Sequence, residues 1–209
     1  MRESGRITLF TSLLNEVKWY RQRKNQNRIA ILSAGCSTGE EVYTLNITLM
    51  ESGLFVWGWD VRIIGVDVSR NALRKARSAA YTNNSFRSLN GDEEFSRKYF
   101  EKQDGIYVLR KPYRSNVEFR HGNILDPGAL DGVGDIDILF CRNVFIYMSD
   151  EAMRRVAENF YRHLADEGYL FIGSSESLLN KTDLFIPEYK GGSIVYRKNL
   201  CSSPGRDNV

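Results

Sequence analysis

Cysteine, proline and long apolar runs are all scarce in this 209-residue chain, which holds 3 Cys and 4 Pro. Its longest strongly apolar stretches, residues 54–59 and 136–141, are about a third of the ~20 residues that span a bilayer, so no membrane span is expected. Cys36, Cys141 and Cys201 are odd in number, far apart and without a C-x-x-C spacing, which argues against a disulfide framework or a zinc site and for the reducing cytoplasm. No apolar segment follows the charges of residues 1–6, so the start does not read as a signal peptide. There is no internal repeat, and a net charge of +3 is too small to indicate a nucleic-acid partner.

What remains is a soluble globular composition, 42% hydrophobic and 26% charged, long enough for one large domain with its own core. Charge is unevenly spread. Residues 70–120 hold 12 Lys and Arg against 6 Asp and Glu, whereas residues 121–188 hold 5 against 12. Such blocks are solvated helix faces or a surface for an acidic partner.

Periodicity then orders the chain. Leu9, Phe10, Leu13, Leu14 and Val17 recur at helical spacing, and residues 18–28 read as a basic, polar connection. Residues 28–33 form a short apolar strand entering a Gly-rich loop, after which residues 40–52 read as a helix. Residues 61–66 are a second strand ending at Asp67, with Ser69 as cap of a basic helix over 71–80. A helix over 92–101 leads to strands at 106–110 and 117–120, which read as a small hairpin appended to the main sheet. Residues 136–141 are a buried strand, Ser149 caps an amphipathic helix reaching 164, 169–172 is another strand, and 184–198 is a hairpin turning on Gly191-Gly192. This alternation predicts an α/β fold: a doubly wound, mostly parallel Rossmann-like sheet closed by an antiparallel C-terminal hairpin. The polar residues 201–209 read as a disordered tail beyond a domain over 1–200.

In such sheets ligands sit at the carboxyl ends of the strands, where strand order reverses. That selects the loop over 34–41, Asp67, residues 122–124 and residues 142–144. Gly35 and Gly39 let backbone approach a ligand, and Asp67 stands where acidic residues accept hydrogen bonds from ribose hydroxyls. The loop is neither G-x-G-x-x-G nor a P-loop, and Glu40 and Glu41 occupy the helix start where a pyrophosphate otherwise binds. Negative charge there suits a cationic ligand such as S-adenosylmethionine, although acidic first turns are also ordinary partners of the helix dipole.

The segments Ser33-Ala34-Gly35-Cys36-Ser37-Thr38-Gly39-Glu40-Glu41, Cys141-Arg142-Asn143-Val144-Phe145-Ile146-Tyr147 and Phe171-Ile172-Gly173-Ser174-Ser175-Glu176 resemble, in order, those of the CheR-type chemotaxis receptor methyltransferases, from about Arg2 to Lys198. The resemblance implies methylation of glutamate side chains on the cytoplasmic helices of a methyl-accepting chemotaxis receptor, with S-adenosylmethionine as donor and S-adenosylhomocysteine as product. It implies cofactor contacts from Ala34, Glu41, Asp67, Asn123, Ile124, Asn143 and Val144, with Asp67 on the ribose. Arg2, from the family's Thr-x-Phe-Phe-Arg-Asp segment, and Tyr147 would stand at the reaction centre, and an inserted β-subdomain would span about residues 99–119. Met1 falls inside that segment and the family's preceding helical domain is not among these residues, which points to a shortened or divergent start. Ser174 stands for the His of Gly-His-Ser-Glu, Ser69 for the second Asp of Asp-x-Asp, and Val42 for a Pro.

A glutamate with a reference pKa near 4.3 is already ionised at neutral pH, so its oxygen attacks a sulfonium methyl without a general base. Catalysis then reduces to stripping water from the carboxylate and holding it in line. His121 and His163 accordingly receive no role, and Cys36 and Cys141 read as packing residues. Trp57, Trp59 and Phe55 read as core in preference to an exposed partner contact. The alternative to a transferase is a module that binds S-adenosylmethionine or S-adenosylhomocysteine without catalysis and regulates a signalling system.

Overall fold

The computed structural model describes residues 2–55, 57–83, 85 and 93–204, with side chains described from residue 8 onward except at 93. Strand β1 (Arg28–Ala34) lies inside a seven-stranded sheet. On one side of it stand β2 (Asp60–Asp67) and then β6 (Val117–His121). On the other stand β7 (Ile136–Cys141), β8 (Leu164–Ile172), β10 (Ser193–Lys198) and β9 (Phe185–Lys190). The strands from β6 to β8 run parallel, and β10 is antiparallel to both β8 and β9. Strand order reverses between β1 and β7, which opens the ligand crevice at their carboxyl ends.

Both faces of the sheet are covered, which is why its inner strands read as mostly apolar rather than alternating. Ile29 and Ile31 of β1 pack with Leu13 and Leu14 of α1 (Arg2–Arg23) and Val42 and Leu45 of α2 (Glu40–Glu51). Leu32 and Ala34 point the other way, into a cluster with Val156 and Phe160 of α5 (Asp150–His163). Ser69 and Ser149 cap α3 (Arg70–Ser78) and α5 through their hydroxyls, which accept from the Ala72 and Ala152 N–H groups. Among the described residues no helix is long and apolar enough to cross a membrane.

Four expectations need correction. The first helix does not give way to a connection at residue 18 but continues to Arg23. Arg21 is buried and donates to the buried Asp137 of β7 at 2.7 Å, a partner 116 positions away that local pattern cannot reveal. Residues 106–110 and 117–120 do not form a hairpin: β5 (Ile106–Leu109) pairs with β4 (Phe100–Gln103), which follows α4 (Glu93–Tyr99), and with β3 (Ala80–Tyr81) in a separate antiparallel sheet, while β6 joins the main sheet beside β2. The buried Asn46 of α2 directs that path by donating to the Tyr113 and Ser115 carbonyls, which fixes the turn ahead of β6. Trp57 is 99% exposed, whereas Phe55 and Trp59 are partly buried and meet edge to face with the Lys18 ammonium near both rings. Finally, the start of the expected disordered tail is held against α5, where the Tyr161 hydroxyl hydrogen-bonds the Asn199 and Ser202 carbonyls; residues 205–209 lie outside the described residues.

Candidate active site

The loop between β1 and α2 is built by its own amides. Gly35 and Cys36 donate to the Val66 carbonyl at 2.8 and 3.1 Å, Ser37 donates to Asp67 Oδ2 at 2.8 Å, and Gly39 donates to the Cys36 carbonyl at 3.0 Å. A phosphate-binding loop offers such N–H groups to its ligand, and here four of them are already engaged. This internal bonding, more than the acidic helix start, sets the crevice against a pyrophosphate. Glu41 does not stand there as a free charge, because its carboxylate accepts from Arg142 Nη1 and Ser33 Oγ, both at 2.9 Å. Glu40 is held by the hydroxyls of Thr38 and Ser85.

Asp67 ends β2 with its carboxylate fixed by two amides, Ser69 N–H on Oδ1 and Ser37 N–H on Oδ2, each at 2.8 Å. Each oxygen keeps a second lone pair, and the group is only partly buried. It is therefore a pre-oriented acceptor for a pair of hydroxyls. The same neighbourhood disarms the nearby thiols. Burial, then the Asp67 charge, pushes Cys36 up to about 12, and burial raises Cys141. Neither is a nucleophile at neutral pH.

Arg142, Asn143 and Val144 follow β7. Asn143 adopts a left-handed conformation, φ 57°, and Val144 closes directly on Gly35. A Cβ on Gly35 would sit 2.6 Å from Val144 Cγ2, and Gly35 itself has φ 74°. Gly35→Ala is therefore expected to cost about 1–2 kcal/mol from the left-handed backbone alone, lowering the melting temperature by about 2–8 °C in a calorimetric scan. Tyr147 is 84% exposed at the end of a short 3-10 turn, Phe145–Tyr147, so it is not a core tyrosine.

The structure brings Glu41, Asp67, Asn143 and Val144 to adjacent strand ends. Ala34 is buried beneath the loop, and the Ile124 side chain is likewise buried while its carbonyl accepts from the buried Asn159 of α5 at 2.9 Å. Asn123 folds back onto the Leu125 amide. The side chain of Arg2 lies outside the described residues, although its backbone begins α1. A separate cavity of about 770 Å³ opens on the α1 face near Trp19, Tyr20 and Tyr169, away from these strand ends. Two acids that line it are already paired, Glu16 with Lys190 and Glu167 with Arg197.

Three contributors depend on partners distant in sequence. Arg142 stands among the selected residues 142–144 but carries no role in the sequence pattern, since its partner Glu41 is 101 positions away. Asn159 and Tyr81, which hold the Ile124 and Thr38 carbonyls, give no local signal at all.

Residues 1–190 match the family model described as the CheR methyltransferase, SAM binding domain. The chain is 39% identical over 152 residues to the probable biofilm formation methyltransferase WspC of Pseudomonas aeruginosa, covering 72% of this chain and 35% of that one. It is 31% identical over 182 residues to chemotaxis protein methyltransferase 2 of Vibrio cholerae, covering 86% and 62%. It is 30% identical over 185 residues to a chemotaxis protein methyltransferase of Campylobacter jejuni, covering 88% and 68%. The chain thus spans about a third of the first relative's length and about three fifths of the second's. With the strand order, the crevice at its reversal and this match across most of its length, the chain belongs to the CheR methyltransferase family through its S-adenosylmethionine-binding domain.

Proposed function

We propose that this chain carries a methyl group from S-adenosylmethionine to glutamate carboxylates on the cytoplasmic helices of a methyl-accepting chemotaxis receptor, forming glutamyl methyl esters. The observation that carries the reading is the convergence of Asp67, the Glu41–Arg142 pair and the loop ending in Tyr147 on neighbouring strand ends. These residues fit the cofactor. The pre-oriented Asp67 suits ribose hydroxyls, and the engaged loop amides leave little for a phosphate. When bound, S-adenosylmethionine supplies an electrophilic methyl on a sulfonium.

The chain's own residues then have orienting tasks. Asp67 holds the sugar, Asn123 and Ile124 border the adenine, Glu41 faces the ammonium end, and Asn143 and Val144 line the methionine arm. Tyr147, exposed at the mouth, and Arg2 at the start of α1 steady the acceptor carboxylate. Arg142 is close enough to the crevice to share that task, since its guanidinium stands on Glu41 with about a third of the side chain exposed. A base is unnecessary, because the acceptor is ionised at neutral pH. Cytoplasmic action follows from such an acceptor.

Two measurements test the reading. Calorimetry is expected to show S-adenosylhomocysteine binding, and incubation with methyl-labelled donor and a receptor cytoplasmic fragment is expected to yield base-labile label. Binding without transfer to any receptor fragment favours the regulatory module, and no binding overturns the crevice assignment.

A further inference from the structure

Gly173-Ser174-Ser175-Glu176 belongs to the sequence pattern but takes no part in the functions assigned above. In the structure Glu176 is the knot between the two loops that follow β7 and β8. The Glu176 amide donates to the Gly173 carbonyl at 3.0 Å, closing a turn that folds the side chain back toward the strand ends. Its Oε2 then accepts from Gly173 N–H at 2.5 Å and Asn143 N–H at 3.0 Å, and its Oε1 accepts from Ile146 N–H at 3.3 Å. One carboxylate so takes up three backbone donors, two of them in the segment that leads to Tyr147.

That segment has its own turn hydrogen bonds, Tyr147 N–H to the Val144 carbonyl at 3.2 Å and Met148 N–H to the Phe145 carbonyl at 3.0 Å, but its outer side is little packed. Phe145 anchors it from below, but Ile146 is 53% and Tyr147 84% exposed, so apolar packing fixes its depth and not the aim of its tip. The Asn143 amide belongs to a left-handed residue and the Ile146 amide to a 3-10 turn too short to supply it a partner. Gly173 is required by the same knot. A Cβ there would overlap Glu176 Oε2 and stand 3.0 Å from Asn143 Oδ1.

We infer that Glu176 is a positioning residue for methyl transfer: it sets the turn that presents Tyr147 to the acceptor through Oε1, and separately steadies Asn143 through Oε2. The inference rests on the transferase reading for its activity arm, and the division between the two oxygens makes it testable. Glutamine at 176 can place its carbonyl where Oε2 lies, keeping the Asn143 and Gly173 bonds. Its NH₂ group then faces the Ile146 N–H, donor against donor. The cofactor side survives and the acceptor side is released.

The experiment compares the 209-residue chain with Glu176→Gln and Glu176→Asp variants. For Glu176→Gln the expected result is S-adenosylhomocysteine affinity within about threefold of the parent and turnover on a receptor fragment lowered about 10- to 100-fold, since misplacement near 1 Å has effects of that size. The KM for the methyl donor is expected to stay unchanged. Glu176→Asp, one methylene short, is expected to lose affinity and turnover together. A merely structural glutamate would lower the melting temperature without separating turnover from cofactor affinity. Hydrogen exchange over residues 142–148 reads the same contact without activity: at least about tenfold faster exchange at Ile146 is expected in Glu176→Gln. Parental exchange there, or parental turnover in a folded Glu176→Gln protein, overturns the inference. A parent chain that binds no S-adenosylhomocysteine overturns the transferase reading instead, and the exchange measurement then decides the role of Glu176 in placing the turn.

Discussion

Asp67→Ala is expected to weaken S-adenosylhomocysteine binding at least about 100-fold, because two hydrogen bonds to a charged acceptor are worth about 1.5–3 kcal/mol each. A second effect adds to the first. Asp67 also accepts from Ser37 N–H and Ser69 N–H, so its removal releases the loop after β1 and the cap residue of α3 together. Asp67→Asn separates the two contributions. An amide keeps one acceptor oxygen but turns NH₂ toward either Ser37 or Ser69, so a loss of about 10- to 160-fold, smaller than that of Asp67→Ala, is expected for one charged bond in two. Titration calorimetry at fixed ionic strength reads both variants, with a melting curve to show that each is folded. Affinity within threefold of the parent in Asp67→Ala removes the ribose from this strand end.

Two carboxylates at a helix start read as net negative, but Arg142 stands on Glu41 at 2.9 Å and offsets it. What disfavours a dinucleotide is the bonding of the loop itself, in which the amides of Gly35, Cys36, Ser37 and Gly39 all point at protein acceptors. That arrangement also explains Asp67. It both completes the loop and keeps lone pairs free toward the crevice, so one residue type at one strand end serves folding and binding together.

Local chemistry makes much of this architecture legible in the sequence. The runs at 29–32, 63–66 and 138–141 are buried on both faces and so are continuously apolar, and the caps Ser69 and Ser149 bond as their positions suggest. The crevice residues Glu41, Asp67 and Asn143 follow from those strand ends. Illegible were the features whose partner is distant in sequence. Arg21 reads as part of a polar connection until Asp137 is seen beside it, and Asn46 reads as an ordinary helix residue until it meets the Tyr113 and Ser115 carbonyls. Strand pairing failed for the same reason. Residues 106–109 and 117–121 are near neighbours in the chain, and only the anchored turn between them sends one to a small antiparallel sheet and the other to the edge of the parallel one.

Arg21→Ala is expected to destabilise the chain by about 3–5 kcal/mol, since it strands a buried carboxylate, and to lower the melting temperature by about 6–20 °C. The side chains of Arg21 and Asp137 are 3% and 2% exposed, and Asp137 also holds the Ala30 amide of β1 at 2.9 Å. The pair is not a net gain over apolar packing. Burial pushes the Asp137 carboxyl above its ordinary range, and the Arg21 hydrogen bond and charge and the Ala30 amide bring it only part of the way back. Among the described residues Arg21 Nη2 meanwhile has no acceptor. Arg21→Met with Asp137→Leu is accordingly expected to recover stability to within about 1–2 kcal/mol of the parent, which urea titration at neutral pH measures. The sign of the pH dependence follows from the raised carboxyl. Removing Arg21 raises the folded carboxyl further above that of the parent, so the deficit relative to the parent is largest above both folded values. It shrinks as pH falls through the variant's folded value and levels off below the parent's. Ala30 lies four residues before the end of β1, about 13 Å down the strand from the crevice. Below its melting point, Arg21→Ala should therefore bind S-adenosylhomocysteine like the parent; a deficit that grows on acidification, or affinity lost while the chain is folded, contradicts this placement of the pair.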